Sequence, residues 1–121
     1  MQERVVVVHL AVSLLAPRDQ VAQVADALRS LSRRARLDRG CDSSEVYASV
    51  EDQSRLSLQQ EWVAETDLAR YVRSDDFTAV LALLDLAVAT PTLELQCAGG
   101  TRGLEYVAEI RSRETPVGSQ G

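Results

Sequence analysis

Three scarce aromatic side chains lie close together in the sequence. Aromatic residues are only 4% of the 121, yet Trp62, Tyr71 and Phe77 fall within 16 positions of one another, and they include the only Trp and the only Phe. Grouped rings can pack against a flat aromatic ligand, and a phenol hydroxyl can add a hydrogen bond. The alternative is that the rings fill the core between a sheet and its helices, as most buried aromatics do.

His9, the only His, is the candidate general base. An imidazole changes its charge between about pH 5 and pH 8, which suits proton abstraction from a phenol or quinol. Its neighbours Val8 and Leu10 are apolar, so a structural role for His9 is the alternative. Alternation along the segment that ends at Trp62 places Gln60 on the same side, where its amide would supply a second hydrogen bond.

Composition excludes several other kinds of chemistry. The chain has no Lys, which rules out a Schiff-base Lys and the Lys of a phosphate-binding P-loop. Cys41 and Cys97 have no second Cys or His at metal-ligand spacing, so we expect neither a disulfide framework nor a metal site. The net charge of −5 repels polyphosphates, so we expect no nucleic-acid partner.

The sequence contains no segment typical of a targeting signal or a membrane anchor. The opening "MQERVVVV" lacks the long apolar core and small-residue cleavage site of a signal peptide. No apolar run reaches the roughly 18 residues that a membrane span needs. We therefore expect a cytoplasmic protein without a membrane partner.

The elements that position these residues follow from hydrophobic periodicity and turn signals. Helices are predicted from Pro17 to about Arg36, from an N-cap at Thr66, and from an N-cap at Ser74 to Pro91. The predicted strands span residues 5–15, 44–51, 55–63, 92–98 and 104–110, with a turn at 99–103 and a loose tail at 111–121.

This order is the split βαβ pattern of an α+β, ferredoxin-like domain, here spanning residues 1–110. In such a domain the helices cover one face of an antiparallel sheet. Val5, Val7, Ala11 and Leu15 would make the other face of the first strand substantially apolar. Because a large apolar patch is unfavourable in water, we expect two copies to pack sheet against sheet as a homodimer.

The central part of the chain resembles the antibiotic biosynthesis monooxygenase-like family of dimeric α+β barrels. The resemblance is carried by Gly40 and Cys41 before "EVYASVED", by a strand that ends at Trp62, and by a helix that leads into "SDDF" at residues 74–77. It extends over roughly residues 5–110. It implies the ferredoxin-like fold, a sheet-to-sheet dimer, and a pocket between sheet and helices in each subunit.

The resemblance also implies an activity. Some members oxidise phenolic or quinol substrates with O₂ and no cofactor, others degrade haem, and others have no assigned activity. The leading hypothesis is therefore a cofactor-independent monooxygenase acting on a small aromatic or quinol-type substrate. The predicted catalytic residues are His9, Trp62 and Tyr71, and the predicted substrate-binding residues are Leu58, Gln60 and Phe77.

The chain departs from the family pattern in having no Asn. The quinone-forming members are similar in using an Asn beside the Trp and Tyr, and the haem-degrading members rely on an Asn together with a helix His. Residues 78–84 contain no His, so we do not expect haem degradation and predict no cofactor. The absent Asn supports the alternative hypothesis, a non-catalytic small-ligand-binding or structural homodimer of the same fold.

Overall fold

A computed structural model describes residues 8–97 and 100–113 of the protein. The five strands are β1 (Val8–Leu15), β2 (Cys41–Ala48), β3 (Arg55–Trp62), β4 (Thr92–Cys97) and β5 (Gly100–Arg102). The four α-helices are α1 (Val21–Ala35), α2 (Glu65–Val72), α3 (Asp75–Leu84) and α4 (Leu104–Arg113), and a short 3₁₀ turn, Arg18–Gln20, precedes α1.

The strands form a single sheet in the order β2-β3-β1-β4-β5. All neighbouring strands are antiparallel, and β1 lies in the centre, where Leu10 is opposite Gln60 of β3 and Leu95 of β4. The α+β, ferredoxin-like fold predicted from the sequence is therefore confirmed.

Strict alternation in the central strands separates a buried face from an open one. Every second residue of β1 and β3 is buried in the core with the inward stripes of the helices. The fully buried positions of these two strands are Val8, Leu10, Val12, Leu14, Leu56, Leu58, Gln60 and Trp62. Because successive side chains point to opposite faces, His9 and Glu61 lie on the open face.

The open face is more polar than the sequence suggested. Within the described residues its apolar members on β1 are Ala11 and Leu15, both half-buried, whereas Val5 and Val7 lie outside them. The flanking strands contribute polar side chains, namely Arg55, Ser57, Gln59, Glu61, Thr92, Glu94 and Gln96. The described part of this face is therefore of mixed polarity, and the large apolar patch, which also depends on Val5 and Val7, stays a prediction.

The C-terminal segment also differs from the prediction. Residues 104–110 form helix α4 rather than a strand, and residues 100–102, expected in a turn, pair with β4. Val107 and Ile110, three residues apart, are buried, so the helical period outweighed the apparent alternation. Arg111 fixes α4 by donating to the Val72 carbonyl at 2.7 Å and to Thr78 Oγ1 at 2.8 Å. Of the predicted tail, residues 114–121 lie outside the described residues.

The two predicted caps of the central helices have different outcomes. Ser74 caps α3 as expected, because its Oγ accepts a hydrogen bond from the Phe77 amide at 3.2 Å. Thr66 is not an N-cap: α2 begins one residue before it, with Ala64 in the N-cap position and no side-chain cap. Helix α3 ends at Leu84, well before Pro91, and Val88, within the predicted helix, lies beyond its observed end and is exposed.

Gly40 allows α2 to lie against the start of β2. A Cβ atom on Gly40 would lie only 2.4 Å from Cγ of Asp67 in α2. The Gly40 carbonyl also accepts a hydrogen bond from the Val63 amide at 2.9 Å, just after β3 ends. Glycine is therefore required at position 40 because α2 approaches the backbone closely, and not because of an unusual φ angle.

Candidate functional site

The three aromatic residues meet at one end of the core. Trp62 is the last residue of β3, Tyr71 lies on α2, and Phe77 lies in the first turns of α3. The rings of Trp62 and Tyr71 are stacked with centroids 4.8 Å apart, and Phe77 meets Tyr71 edge to face at 5.5 Å. Trp62 and Phe77 are fully buried and Tyr71 is 5% exposed. The space between Trp62 and Tyr71 is therefore filled by their own contact.

A buried amide joins two of these rings. The Trp62 indole Nε1 donates to Gln60 Oε1 at 3.0 Å, and Gln60 Nε2 approaches the Tyr71 hydroxyl at 3.3 Å as a donor. The same Nε2 donates to Ser44 Oγ at 3.1 Å. Gln60 is 1% exposed, so its amide has exchanged water for these partners. It holds an indole, a phenol and a serine hydroxyl at fixed positions.

The polar network continues from the sheet to α1. Ser44 of β2 lies 2.7 Å from Ser32 of α1, oxygen to oxygen, and both side chains are buried. Arg36, which caps α1, donates from Nε to the Ser44 carbonyl at 3.1 Å. A continuous chain of hydrogen bonds thus runs from the Trp62 indole to the side of α1 that faces β2. We call these residues, Trp62, Gln60, Tyr71, Ser44 and Ser32, the buried network.

The Tyr71 phenol is a hydrogen-bond donor at neutral pH. Burial raises the pKa of Tyr71 to about 12, and the hydrogen bond from Gln60 only partly offsets this effect. The phenol oxygen accepts a hydrogen bond from Gln60, and no described residue accepts the hydrogen of the phenol. Tyr71 can therefore donate a hydrogen bond to a ligand oxygen, whereas it cannot act as a base near pH 7.

His9 is separated from the rings by the sheet. It is opposite Glu61 in the register of β1 and β3, and its Nε2 lies 3.5 Å from Glu61 Oε2 on the open face. Trp62, the next residue of β3, points to the helices. A hollow of about 90 Å³ adjoins His9 on the open face. The structure thus brings the side chains of Trp62, Tyr71 and Gln60 together on the buried face and places His9 on the opposite face of the sheet.

The remaining predicted site residues lie on the buried face. Phe77 contacts Tyr71 directly, and Leu58, two positions before Gln60 on β3, is fully buried in the core. Sequence reasoning missed Ser44 and Ser32. The sequence nevertheless indicates that both point inward. Ser44 lies two residues before Val46 and therefore on the same side of β2, and Ser32 lies four residues after the buried Leu28, on the same face of α1.

The described residues offer little for metal or thiol chemistry. Residues 8–97 and 100–113 contain no group of three or more His, Cys, Asp or Glu side chains that could hold a metal ion. Burial raises the pKa of the Cys97 thiol to about 11, with a hydrogen bond to Glu65 adding to the effect, and burial also raises the pKa of Cys41. Both thiols are therefore protonated at neutral pH, which makes them weak nucleophiles.

Among the helices in the described part of the chain, none combines the length and the apolar character required to cross a bilayer.

Comparison with known proteins identifies the family. The family model for antibiotic biosynthesis monooxygenase matches residues 7–83, which is more than half of the chain and includes the whole buried network. No functionally curated protein matches the sequence significantly.

Solved structures share the fold. A conserved protein from Methanosarcina mazei Go1 superposes with a TM-score of 0.68 at 21% identity, covering 75% of this chain and 91% of its own. A structure described as an antibiotic biosynthesis monooxygenase gives 0.67 at 16% identity, covering 75% and 97%. A Pseudomonas aeruginosa protein gives 0.66 at 13% identity, covering 80% and 97%. Identities this low establish similarity of fold alone.

Proposed function

The chain belongs to the antibiotic biosynthesis monooxygenase family, and from that premise we propose that it is a cofactor-independent monooxygenase acting on a small aromatic, quinol-type substrate. The observation that supports this function is the amide of Gln60, held between the Trp62 indole and the Tyr71 phenol. The resemblance implies an Asn beside a Trp and a Tyr. Gln60 supplies the same carboxamide group in a chain that has no Asn.

Simple core packing does not explain the presence of an amide at this position. Burying an amide costs free energy that hydrogen bonds only offset, whereas a leucine of similar size would contribute burial without that cost. Five polar side chains nevertheless form the buried network, and every buried side-chain nitrogen or oxygen of the described residues has a partner. Such a network suits a site that must orient polar atoms of a substrate.

In the proposed reaction the substrate reacts as its anion. The substrate hydroxyl releases its proton to solvent water, and the Tyr71 hydroxyl donates a hydrogen bond to the resulting oxyanion, which favours the phenolate at neutral pH. The electron-rich ring then transfers electrons to O₂, one oxygen atom forms a carbonyl on a ring CH₂ or CH carbon, and the other leaves as water. The substrate itself supplies the electrons, so the balance needs no reduced cofactor.

Substrate entry requires the stacked rings to separate. Helix α2, which carries Tyr71, is only eight residues long and has no side-chain N-cap, so it lacks one of the usual restraints on a helix N-terminus. We propose that α2 moves outward when a planar substrate inserts beside Trp62. The fixed part of the site is then β3, with Gln60 and Trp62.

The test is O₂ uptake by the pure protein with simple hydroquinones and with anthrones. Tyr71→Phe keeps the ring and removes the hydroxyl, and we expect the rate to fall at least about tenfold, the usual scale for one donor to a developing charge. Tyr47→Phe, at a 51% exposed position, is the matched control and should keep the wild-type rate. Equal rates in the two variants would contradict the assignment to Tyr71.

The predicted role of His9 is tested in the same assay. Because His9 lies on the open face, a substrate beside Tyr71 does not contact it. His9→Ala should therefore leave the rate within about twofold of wild type if the substrate binds at the rings. A loss comparable to that in Tyr71→Phe would instead favour the predicted base function.

One observation favours the second candidate function, a non-catalytic ligand-binding or structural protein. Trp62 and Tyr71 fill the space between them, and each buried side-chain nitrogen or oxygen in the described part of the chain already has a partner. In that case O₂ uptake is absent across the panel. Saturable quenching of Trp62 fluorescence by the same hydroquinones, without turnover, would identify a binding protein, and neither response would leave a structural role.

A further inference from the structure

We propose that a cleft between α1 and β2 binds a small oxyanion, the carboxylate or phosphate group of a ligand. The cleft has a volume of about 170 Å³. Its lining consists of Arg29, Ser32, Arg33, Arg36, Glu45 and Val46. Ser32, Arg33 and Arg36 follow Arg29 by three, four and seven residues along α1 and its C-cap, which places the four on one side of the helix, towards β2. We call this feature the arginine cleft.

The charge of the arginine cleft opposes that of the whole chain. Three guanidinium groups face one carboxylate, Glu45, in a protein whose net charge is −5. Arg29 is paired with Asp26, but Arg33 has no acidic partner among the described residues. The remaining local excess of positive charge favours an anion, and the planar fork of arginine matches the oxygens of a carboxylate or phosphate.

Arg36 is held in place within this cleft. Its Nε donates to the Ser44 carbonyl at 3.1 Å, so part of the cost of ordering its side chain is already met. The two terminal nitrogens have no partner among the described residues and remain available as donors. The neighbouring Arg34 differs, since it forms an ion pair with Asp76 on α3 at 2.9 Å and does not line the cleft.

Counting hydroxyl hydrogens gives a further donor. Ser32 and Ser44 share one hydrogen bond, and Ser44 already accepts from Gln60, so one serine hydrogen is left over. If it belonged to Ser44, it would be buried with no acceptor among the described residues. If Ser44 donates to Ser32, the spare hydrogen belongs to Ser32, which lines the cleft. Both side chains are buried, but only Ser32 lines the cleft, so in the second arrangement an anion bound in the cleft would accept the spare hydrogen and satisfy it.

The size of the cleft limits the ligand to a small acidic group. Pockets that enclose a drug-sized ligand have about 300–1,000 Å³. The arginine cleft is smaller, so it would enclose the acidic group and leave any larger portion of the ligand outside. This inference does not depend on the proposed oxygenase activity, because it concerns binding alone.

Occupancy of the cleft should also change the fluorescence of Trp62, the only tryptophan. Ser32, Ser44, Gln60 and Trp62 are connected by successive hydrogen bonds of 2.7, 3.1 and 3.0 Å. A bound anion that accepts from Ser32 would fix Ser44 as the donor to Ser32, which is the one hydrogen bond of this chain whose direction is otherwise open. We therefore expect a saturable change in Trp62 fluorescence with the same midpoint as binding.

The experiment is a titration of ¹⁵N-labelled protein with sodium phosphate and, separately, with sodium benzoate, at constant ionic strength in chloride. We expect saturable amide shifts confined to the cleft segments, residues 29–36 and 44–46. The double variant Arg33→Gln with Arg36→Gln should weaken binding at least tenfold, and Ser32→Ala should weaken it several-fold. Arg34→Gln, one position away but outside the cleft, should keep the wild-type affinity.

The two ligands distinguish the source of the oxyanion. Tighter binding of benzoate, with shifts extending to further residues around the cleft, would identify the carboxylate of an aromatic acid. Tighter binding of phosphate would identify a phosphate group. If neither ligand saturates the amide shifts at concentrations up to about 50 mM, binding is more than tenfold weaker than at a functional millimolar site. That result would overturn the proposal. Equal weakening by Arg34→Gln and the double variant would also overturn it.

Discussion

At the scale of single residues, Gln60 determines what the aromatic cluster can do. Its carbonyl oxygen takes the Trp62 hydrogen, and its two amide hydrogens go to Ser44 and Tyr71. Because the amide arrives at the Tyr71 oxygen as a donor, the phenol must keep its own hydrogen for another acceptor. Orientation by Gln60 and burial thus act together to make Tyr71 a neutral donor.

Tyr71 should make the stability of the protein fall at high pH. Its pKa is raised from 10.0 to about 12, mainly by burial, so the folded state retains the proton longer than the unfolded chain. The stabilisation is fully present below about pH 10 and is lost as the pH rises through 12, with a total of about 2–3 kcal/mol at most. Urea unfolding between pH 9 and pH 11.5 measures this loss.

The control for this prediction is Tyr71→Phe. The Cys97 thiol, whose pKa is also raised, titrates in both proteins, so the difference between them isolates Tyr71. We expect the wild type to lose more unfolding free energy than Tyr71→Phe above pH 10. Parallel pH profiles would mean that the Tyr71 phenol ionises as readily in the folded protein as in the unfolded chain.

Part of the site could be predicted from the sequence, because the alternation of side chains between the two faces of a strand is a local property. Gln60 and Trp62 are two residues apart, so their shared face follows directly, and Tyr71 and Phe77 are close along the chain. The same alternation places His9 on the face opposite to Val8 and Leu10, whereas its pairing with Glu61 depends on the register between β1 and β3, which local patterns do not determine. Ser32 and Ser44 meet only through packing of α1 on β2, a contact that no spacing encodes.

At the scale of elements, the helix N-caps include both a clearly correct and a clearly wrong prediction from the sequence. Ser74 precedes two acidic residues and a helix, and it accepts from the Phe77 amide and donates to the Tyr71 carbonyl at 2.6 Å. Thr66 looks similar in sequence, yet α2 starts at Glu65, which places Thr66 inside the helix. For α4, a short segment satisfied both an alternating and a helical pattern, and packing decided between them.

Replacing the two candidate caps should separate their roles. We expect Ser74→Ala to lower the free energy of unfolding by about 1–2 kcal/mol, since it loses both the α3 cap and the link to the end of α2. Thr66→Ala, the same loss of a hydroxyl at a position within α2, should be neutral or slightly stabilising, because Ala is the better helix former. Chemical denaturation at neutral pH measures both, and a larger loss in Thr66→Ala would contradict the observed start of α2.

At the scale of the whole molecule, the open face of the sheet is where a second copy would pack. Its central positions carry small side chains, with Ser13 opposite Ser57 on one side and Thr92 on the other, and Ala11 two residues away. Sheets stack about 10 Å apart, and small residues at the centre permit that approach. In its described part, the face proposed for the dimer is therefore of mixed polarity, with small side chains at its centre.

We propose a homodimer through this face, and Ser13→Arg tests it. A long cation at the centre of the face, with no carboxylate directly opposite in the register, should prevent two sheets from approaching. Sedimentation at micromolar concentration should give twice the 13.2 kDa chain mass for the wild type and the single chain mass for Ser13→Arg. Ser30→Arg, at an exposed position of α1, is the matched control and should remain dimeric. A wild type that sediments as a single chain would refute the dimer, and a dimeric Ser13→Arg would place the interface elsewhere.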